Sequence, residues 1–192
     1  MAEYRLQETN YPSTYAYHEH RERAPHLEQP WQAARLHKAF DMIKSVNPTS
    51  VVDLGCGDGG LLSLLPPIPA WGYDFQNSNV AGWVERGVTA EQRDVFNDLP
   101  EDIRWGELAV ATEVLEHLDD PHAAVRWIGD HVRYIVASSP DNEKPEEGAD
   151  HDSHLWGWDM AGYAKLFTDS GFVVVEHVLV DWSQVILVRK EA

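Results

Sequence analysis

The residues best suited to chemistry follow a short apolar run that reaches an acid and then breaks into glycines, over residues 51–60. The apolar run is typical of a strand buried on both faces of a sheet. The glycines lack the Cβ that keeps a backbone away from a ligand, and they are Gly55, Gly57 and Gly59. A strand, a glycine turn and a helix at the start of an α/β sheet place a small ligand at the carboxyl end of the strand. The sequence therefore predicts a ligand site beside Asp53.

Two further acids narrow the chemistry of that ligand. Asp74 ends a second short predicted strand, from which a carboxylate can accept hydrogen bonds from two ribose hydroxyls. Asp94 follows another predicted strand, where it can accept from an adenine amino group while Val95 or Phe75 packs against the ring. The glycine pattern differs from the Gly-x-Gly-x-x-Gly of nicotinamide folds and lacks the Gly-Lys-Ser/Thr of a phosphate loop. The three acids therefore predict an adenosine-containing ligand.

From residue 51 to the C-terminus the chain resembles the class I S-adenosylmethionine-dependent methyltransferases. Three acids stand in that family's order, and the string Glu-Val-Leu-Glu-His follows them at residues 113–117. The resemblance implies that the first acid and the glycine loop hold the methionine end, the second acid binds ribose and the third faces adenine. The cofactor-binding residues that it implies are Asp53, Gly55, Cys56, Gly57, Gly59, Asp74, Phe75, Asp94, Val95 and Glu113. Cys56 is expected there as a small packing side chain rather than a nucleophile.

Methyl transfer from a sulfonium mainly requires alignment of acceptor, methyl and sulfur, which can lower a barrier by about 7–11 kcal/mol. A hydroxyl acceptor also benefits from a base that takes its proton. The candidate catalytic residues are Glu116, His117 and His154, although the first two could equally cap or solvate a turn. A histidine flanked by tryptophans suits the wall of a partly apolar pocket. The residues expected to line the acceptor pocket are His151, Trp156 and Trp158.

A metal site is an alternative interpretation of the same residues. The pattern Glu-x-x-Glu-His followed by His-x-x-His is similar to the metal-binding set of the small-RNA 3′-terminal 2′-O-methyltransferases. That resemblance implies a divalent ion over the terminal ribose, with the ligands Glu113, Glu116, His117 and His154. Two carboxylates and two imidazoles suit Mn²⁺, Co²⁺ or a loosely held Mg²⁺. The primary prediction contains no metal, because the Glu-Val-Leu-Glu-His string is also frequent among methyltransferases of small molecules.

Charge and composition indicate the class of partner. With 15 basic against 32 acidic side chains the net charge is −17, whereas proteins that bind long nucleic acids neutralise phosphates with clustered lysine and arginine. The strongest basic cluster is interleaved with glutamates and is interpreted as a solvated helix face, at His18, His20, Arg21, Arg23 and His26. We therefore expect a small-molecule acceptor and no nucleic acid. A polar start, the absence of a long apolar run and a single cysteine predict a cytoplasmic protein without a membrane segment.

These side chains must be positioned by alternating strands and helices. Helices are expected at residues 31–46, 61–65, 78–86, 121–130 and 159–170. Strands are expected from residue 51, and at 71–74, 88–93, 107–112, 133–138, 172–180 and 183–189. Alternating strands and helices that end in two strands close in sequence predict a single-domain α/β fold. The resemblance implies that it is Rossmann-like, with a seven-stranded mostly parallel sheet, helices on both faces and one antiparallel strand. Residues 1–30 are expected to form a loop-rich lead-in that covers the active site, and residues 31–192 the methyltransferase domain.

The sequence thus predicts methyl transfer from S-adenosylmethionine to a small-molecule acceptor, at oxygen. Two alternatives stay open, which are metal-dependent 2′-O-methylation of an RNA 3′ end and a non-catalytic module that binds S-adenosylmethionine. The cofactor assignment requires Asp74 to face the crevice that Gly55 and Gly57 border.

Overall fold

The computed structural model describes residues 2–6, 21–97, 99–144 and 154–191. The strands are β1 (Glu3–Arg5), β2 (Val51–Leu54), β3 (Ala70–Asp74), β4 (Ala90–Gln92), β5 (Leu108–Thr112), β6 (Tyr134–Pro140), β7 (Trp156–Trp158), β8 (Phe172–Val180) and β9 (Ser183–Lys190). The α-helices are α1 (Pro30–Val46), α2 (Gly60–Leu64), α3 (Val80–Arg86), α4 (Pro121–Gly129) and α5 (Met160–Thr168). Short 3₁₀ turns occur at His26–Glu28, Asn77–Asn79 and Leu115–His117.

Seven of these strands form one sheet in the order β4-β3-β2-β5-β6-β9-β8. Strand β9 runs antiparallel to both of its neighbours, and the other adjacent pairs are parallel. The predicted Rossmann-like sheet with one antiparallel strand is therefore confirmed. The chain winds outward from β2 through β3 to β4 and then returns to β5 on the other side of β2. The carboxyl ends of β2 and β5 thus form the switch point at which such sheets bind ligands.

Both faces of the sheet are covered, and its central strands are accordingly mostly apolar, with Asp53 as a buried exception in β2. Successive side chains of a strand point to opposite faces, and Val51 and Val52 accordingly belong to different core clusters. Val51 packs with Ile43 of α1, whereas Val52 shares a cluster with Ile128 of α4 and Phe167 of α5. All four residues of β2 are buried, as its apolar run predicted. The helices on both faces hold the carboxyl end of β2 in place.

The predicted helix and strand boundaries lie within two residues of the observed ones, and the strand expected at residues 88–93 is shorter than predicted at both ends. It shortens to Ala90–Gln92 because the N–H of Val88 closes the end of α3 by donating to Trp83 O at 3.1 Å. Helix α1 begins with Pro30 and ends at Asn47, whose φ of 45° is left-handed. The last two strands pair antiparallel as expected.

A second sheet of two strands was not predicted. Strand β1 pairs antiparallel with β7, and Tyr4 lies opposite Gly157 in the register. No strand was expected at either place, because strands of three residues separated by most of the chain leave no local periodicity to detect. This pairing ties the described start of the lead-in to the segment after His154.

None of the described helices combines the length and the apolar character needed to cross a membrane. Three residues singled out from the sequence, His18, His20 and His151, lie outside the described residues.

Candidate active site

A cavity of about 1170 Å³ opens at the carboxyl ends of β2, β3 and β5. Its volume exceeds the roughly 300–1,000 Å³ typical of a pocket for one drug-sized ligand. The predicted site residues that line it are Asp53, Gly55, Cys56, Gly57, Asp74, Phe75, Asp94, Val95, Glu113, His117 and His154. The fold therefore brings most of the predicted residues to one cavity, which has room for a cofactor and an acceptor together.

Glycines in the loop after β2 are required by geometry. Gly55 has a φ of +81°, and a Cβ there would lie 2.5 Å from Cγ2 of Val114. Gly57 has a φ of +52°, and its Cβ would lie 2.9 Å from Cε1 of the His26 ring. Side chains other than glycine are strained at such φ values and would clash at both positions. Glycine at these two positions therefore lets the loop backbone pack directly against the side chains of Val114 and His26.

Asp74 faces the crevice that the glycine loop borders. Its Oδ2 accepts from the N–H of Gly57 at 2.9 Å, and its Oδ1 accepts from the N–H of Gln76 at 2.8 Å and from Nδ2 of Asn79 at 3.1 Å. Burial raises the pKa of Asp74 above its ordinary value, while the hydrogen bonds from Gln76 and Gly57 favour the carboxylate. The orientation required by the cofactor assignment is therefore present.

Asp53 lies within β2 and is 1% exposed. Its Oδ1 has no hydrogen-bond donor among the described residues. Burial raises the pKa of Asp53 to about 8, and the nearby Asp74 carboxylate adds to the rise. A buried carboxyl oxygen of this kind is costly unless a ligand donates to it or brings a positive charge.

Asp94 shapes the turn that follows β4. Its Oδ1 accepts from the N–H of Phe96 at 3.2 Å and from the N–H of Asn97 at 3.1 Å. The turn places the buried Val95 in the cavity wall, where Phe75 also lies. An apolar side chain, an aromatic ring and a carboxylate thus border the same part of the cavity.

Glu113 follows β5 in a left-handed conformation, with a φ of 54°. Its Oε2 lies 3.1 Å from Nη1 of Arg35, and its Oε1 accepts from Oγ of Ser138 at 2.9 Å. Both oxygens of Glu113 thus contact protein groups. Residues other than glycine rarely adopt this backbone conformation, and those that do cluster at functional sites.

Three other polar side chains converge beside Glu113. One ligand atom from each of Glu116, His117 and His154 lies within 4.8 Å of the others, and the two imidazole centroids are 4.7 Å apart. Glu116 is fully buried, and neither carboxylate oxygen has a hydrogen-bond partner among the described residues. This histidine cluster, defined as Glu116, His117 and His154, can share a proton or contribute ligands to a divalent cation.

Two members of the histidine cluster, Glu116 and His154, have raised pKa values. Burial, followed by the Glu113 carboxylate, raises the pKa of Glu116 to about 8. Burial by itself lowers the pKa of His154, but the hydrogen bond to Glu143 and the charge of Glu116 outweigh burial and raise the pKa to about 9. Oε2 of Glu143 lies 2.7 Å from Nδ1 of His154. At neutral pH His154 is therefore a cation.

Two of the residues assigned to the site lie behind the cavity wall. Gly59 does not line the cavity, and a Cβ there would lie 2.6 Å from Cγ2 of Val88, so this glycine serves packing. Glu116 reaches the cavity only through the two histidines. Cys56 does line it, but burial raises the pKa of its thiol well above the ordinary value, which suits a packing role.

The tryptophans expected in the acceptor pocket lie elsewhere. Trp158 is fully buried, and its Nε1 donates to Glu3 Oε2 at 2.8 Å. Trp156 donates from Nε1 to Leu118 O at 2.9 Å and stacks on Trp158 with ring centroids 6.3 Å apart. Both indoles belong to β7, and their N–H groups are used within the protein, that of Trp158 by Glu3 of β1 and that of Trp156 by the Leu118 carbonyl. Neither indole lines the cavity.

The lead-in and α1 contribute residues that the sequence interpretation missed. The cavity wall includes His26, Trp31, Gln32, Arg35, Gln76 and Trp182. Oγ of Ser78 donates to Arg21 O at 2.9 Å, which holds the segment before α1 against the residues that follow Asp74. One signal was available for Arg35, since it shares a helix face with the apolar Ala39 and Met42. A charged residue inside an apolar stripe indicates a buried partner.

Comparison with known proteins identifies the family. Residues 17–177 match a family model described as Methyltransferase domain. A comparison with curated proteins found no match.

Solved structures share the fold at low sequence identity. The methyltransferase domain of bacterial CtHen1-C is 21% identical, with a TM-score of 0.66 over 84% of this chain and 100% of that chain. The N-methyltransferase NodS from Bradyrhizobium japonicum, in complex with S-adenosylhomocysteine, is 14% identical, with a TM-score of 0.70 over 93% and 97%. The 1,6-didemethyltoxoflavin-N1-methyltransferase from Burkholderia thailandensis is 16% identical, with a TM-score of 0.65 over 83% and 79%. These likenesses show a common fold.

Proposed function

The chain belongs to the methyltransferase domain family and is a class I S-adenosylmethionine-dependent methyltransferase, and from this premise we propose that it methylates a small molecule at oxygen. The observation that carries the proposal is the single cavity of about 1170 Å³, which joins the glycine loop to the histidine cluster. Cofactor and acceptor would then meet between these two ends. The net charge of −17 supports a small acceptor over a nucleic acid.

The residues at the glycine loop fit the cofactor. Oδ1 of Asp53, which has no donor among the described residues, suits the ammonium group of a methionine moiety. Asp74 would accept from the ribose hydroxyls, and Asp94 would accept from the adenine amino group. Val95 and Phe75 would pack against the adenine ring.

The histidine cluster would act on the acceptor. S-adenosylmethionine supplies an electrophilic methyl group on a sulfonium sulfur. His117 and His154 line the cavity, where they can orient an acceptor hydroxyl and receive its proton. Because the pKa of His154 is raised to about 9, the imidazole becomes a proton acceptor only as the pH approaches that value. Glu116 does not line the cavity and is a positioning residue whose charge contributes to the raised pKa of His154.

The lead-in would cover the bound cofactor. Arg21, Ala24 and His26 line the cavity. Nη1 of Arg23 donates to Glu85 Oε2 at 2.5 Å, and its Nη2 lies 3.5 Å from the buried carboxylate of Asp58 within the glycine loop. These contacts support the division into a covering segment over residues 1–30 and a domain over residues 31–192. The single buried thiol of Cys56 supports a cytoplasmic location.

Metal-dependent 2′-O-methylation of an RNA 3′ end is the second candidate. It is favoured by the histidine cluster, in which two imidazoles and a buried carboxylate without a partner among the described residues lie within 4.8 Å. Glu113 would be the fourth ligand, and its contacts with Arg35 and Ser138 would orient its carboxylate. Adding EDTA and then Mn²⁺ separates the candidates. Unchanged methyl transfer removes the metal candidate, whereas loss and recovery of activity supports it.

Turnover of methyl-labelled S-adenosylmethionine on fractionated small-molecule and RNA extracts tests the proposal. We expect label to enter the small-molecule fraction at an oxygen atom, with a rate that rises as the pH approaches 9. Label in RNA alone contradicts the proposal. Cofactor binding without label transfer in any fraction would leave only the alternative of a non-catalytic binding module.

A further inference from the structure

We propose that the acceptor is a planar aromatic acid, whose ring lies against Trp31 and Trp182 and whose acid group binds Arg35. The inference rests on the proposed methyl transfer. It adds the class of acceptor, which would be recognised by the part of the cavity wall that contains Trp31, Arg35 and Trp182. It depends on two independent observations, a pair of exposed indoles and a buried guanidinium with an unused donor.

The indoles of Trp31 and Trp182 are the two exposed members among the chain's eight tryptophans, at 40% and 46%. They come from the first turn of α1 and from the turn between β8 and β9, and both line the cavity. Their ring centroids lie 5.1 Å apart, with 43° between the planes. Exposed aromatic side chains bordering a cavity offer a surface on which a flat ring can stack. An aliphatic ligand of the same size would lose the ring-to-ring component of that contact.

Arg35 supplies the charge. Its side chain is 5% exposed, and Nη1 is 3.1 Å from Glu113 Oε2. Nε of Arg35 is buried and has no acceptor among the described residues. A buried donor left unpaired is costly, and a carboxylate of a ligand would satisfy it with a charge-assisted hydrogen bond.

Spacing along α1 sets the size of the ligand. Trp31 and Arg35 are four residues apart on one helix, so both side chains lie on the same face. Four residues of helix rise about 6 Å. That rise matches a fused or single aromatic ring carrying a carboxylate at its edge, with the ring beside the indoles and the acid beside the guanidinium.

The methionine carboxylate of the cofactor is a second source of the same chemistry, and ligand pairs distinguish the two. S-adenosylhomocysteine carries this carboxylate, whereas 5′-methylthioadenosine lacks it. If the cofactor used Arg35, Arg35→Lys would weaken S-adenosylhomocysteine while leaving 5′-methylthioadenosine unchanged. That result would overturn the proposal, which requires Arg35→Lys to leave the affinity for both nucleosides unchanged.

Calorimetry on protein saturated with S-adenosylhomocysteine tests the acceptor site. The probes are naphthalene-2-carboxylate, 2-naphthylmethanol without the charge, and decahydronaphthalene-2-carboxylate without the aromatic ring. We expect the first to bind at least about tenfold more tightly than either of the others. Arg35→Lys and Trp182→Leu should each weaken it by about tenfold, while the exposed Arg126→Met should not.

Equal affinity for the three probes, or no binding of naphthalene-2-carboxylate, overturns the inference while S-adenosylhomocysteine still binds. Failure of S-adenosylhomocysteine to bind the unmodified protein contradicts the proposed function itself. The two failures are therefore distinguishable in one set of titrations.

Discussion

Asp74 and Glu116 are both buried carboxyl groups of the same site, yet their surroundings differ. Asp74 accepts three hydrogen bonds from groups within 17 positions of it in the sequence. Glu116 accepts none from the described residues and lies beside two imidazoles, one of which comes from a distant segment. The difference shows that the glycine-loop end is arranged around Asp74 before any ligand binds, although Oδ1 of Asp53 at that end has no donor among the described residues. The polar groups at the histidine end would instead gain their partners only when a proton, an acceptor or a cation binds there.

The largest effect on stability and cofactor affinity should come from Gly55→Ala at the glycine-loop end. The new Cβ would meet Val114 and the φ of +81° would be strained, so we expect unfolding to become easier by about 2–4 kcal/mol. Affinity for S-adenosylhomocysteine should fall by about 100-fold or more. Gly171→Ala is the matched control, because its φ is +80° and its Cβ would have no atom within 4 Å. Denaturant titration and calorimetry measure both. Equal losses at Gly55 and Gly171 would mean that no close approach is needed at the loop.

Asp74→Asn should affect binding next. The amide keeps the shape but removes the charge that would accept from the ribose, a loss of about 2 kcal/mol or roughly 30-fold in affinity. S-adenosylhomocysteine and 5′-methylthioadenosine should weaken alike, because both contain the ribose. Asp169→Asn, at an exposed carboxylate paired with Lys165, should leave both affinities unchanged. Unaltered binding to Asp74→Asn would remove the ribose assignment.

Asp53→Asn should change stability and binding in opposite directions. The pKa of Asp53 is raised to about 8 from 3.8, so the folded protein loses stability as the pH rises between these values. The amide does not ionise, and we expect the ligand-free variant to be more stable than the parent by about 2 kcal/mol at pH 8. The advantage should shrink toward pH 5, while S-adenosylhomocysteine binds more weakly. Urea unfolding at both pH values measures the difference, and a pH-independent difference would contradict the assignment of cause.

Trp158→Phe tests whether the paired tryptophans of β7 are structural. Removing the indole N–H leaves Glu3 without one donor and creates a small cavity, which should cost about 1–2 kcal/mol of unfolding free energy. Affinity for S-adenosylhomocysteine should stay the same, since Trp158 does not line the cavity. A selective loss of methyl transfer in a stably folded variant would restore Trp158 to the acceptor pocket.

The smallest effect concerns the proton on His154. Its pKa of about 9 depends in part on the charge of Glu116, so Glu116→Gln should move it toward the ordinary 6.5. Imidazole resonances in an NMR pH titration report the value directly. His131 is a suitable internal reference, since it neighbours Glu101 rather than the cluster. A His154 value that does not respond to Glu116→Gln would show that Glu143 alone sets it.

The glycine-loop end could be predicted because its residues lie close together in the sequence. Asp53, the glycines and Asp74 belong to one strand-loop-helix-strand unit, whose residue types and spacing are sufficient to place them. The alternation of strands and helices also indicated the mostly parallel sheet, whereas the order of its strands was not predicted.

The other end depends on contacts between distant segments. The pairing of β1 with β7 removed Trp156 and Trp158 from the pocket, and the packing of α1 placed Trp31 and Arg35 in it. No local pattern specifies either contact. Only the burial of Arg35 could have been anticipated, because it is a charged residue on an otherwise apolar helix face.

The central claim is that the cofactor binds between the glycine loop and Asp74, and amide NMR during titration with S-adenosylhomocysteine tests it most directly. The N–H of Gly57 donates to Asp74, so ligand binding at this place must change its environment. We predict a saturable shift of the Gly57 amide at a 1:1 ratio, with the Gly171 amide unchanged. Saturable binding that leaves the Gly57 amide unshifted would contradict the account.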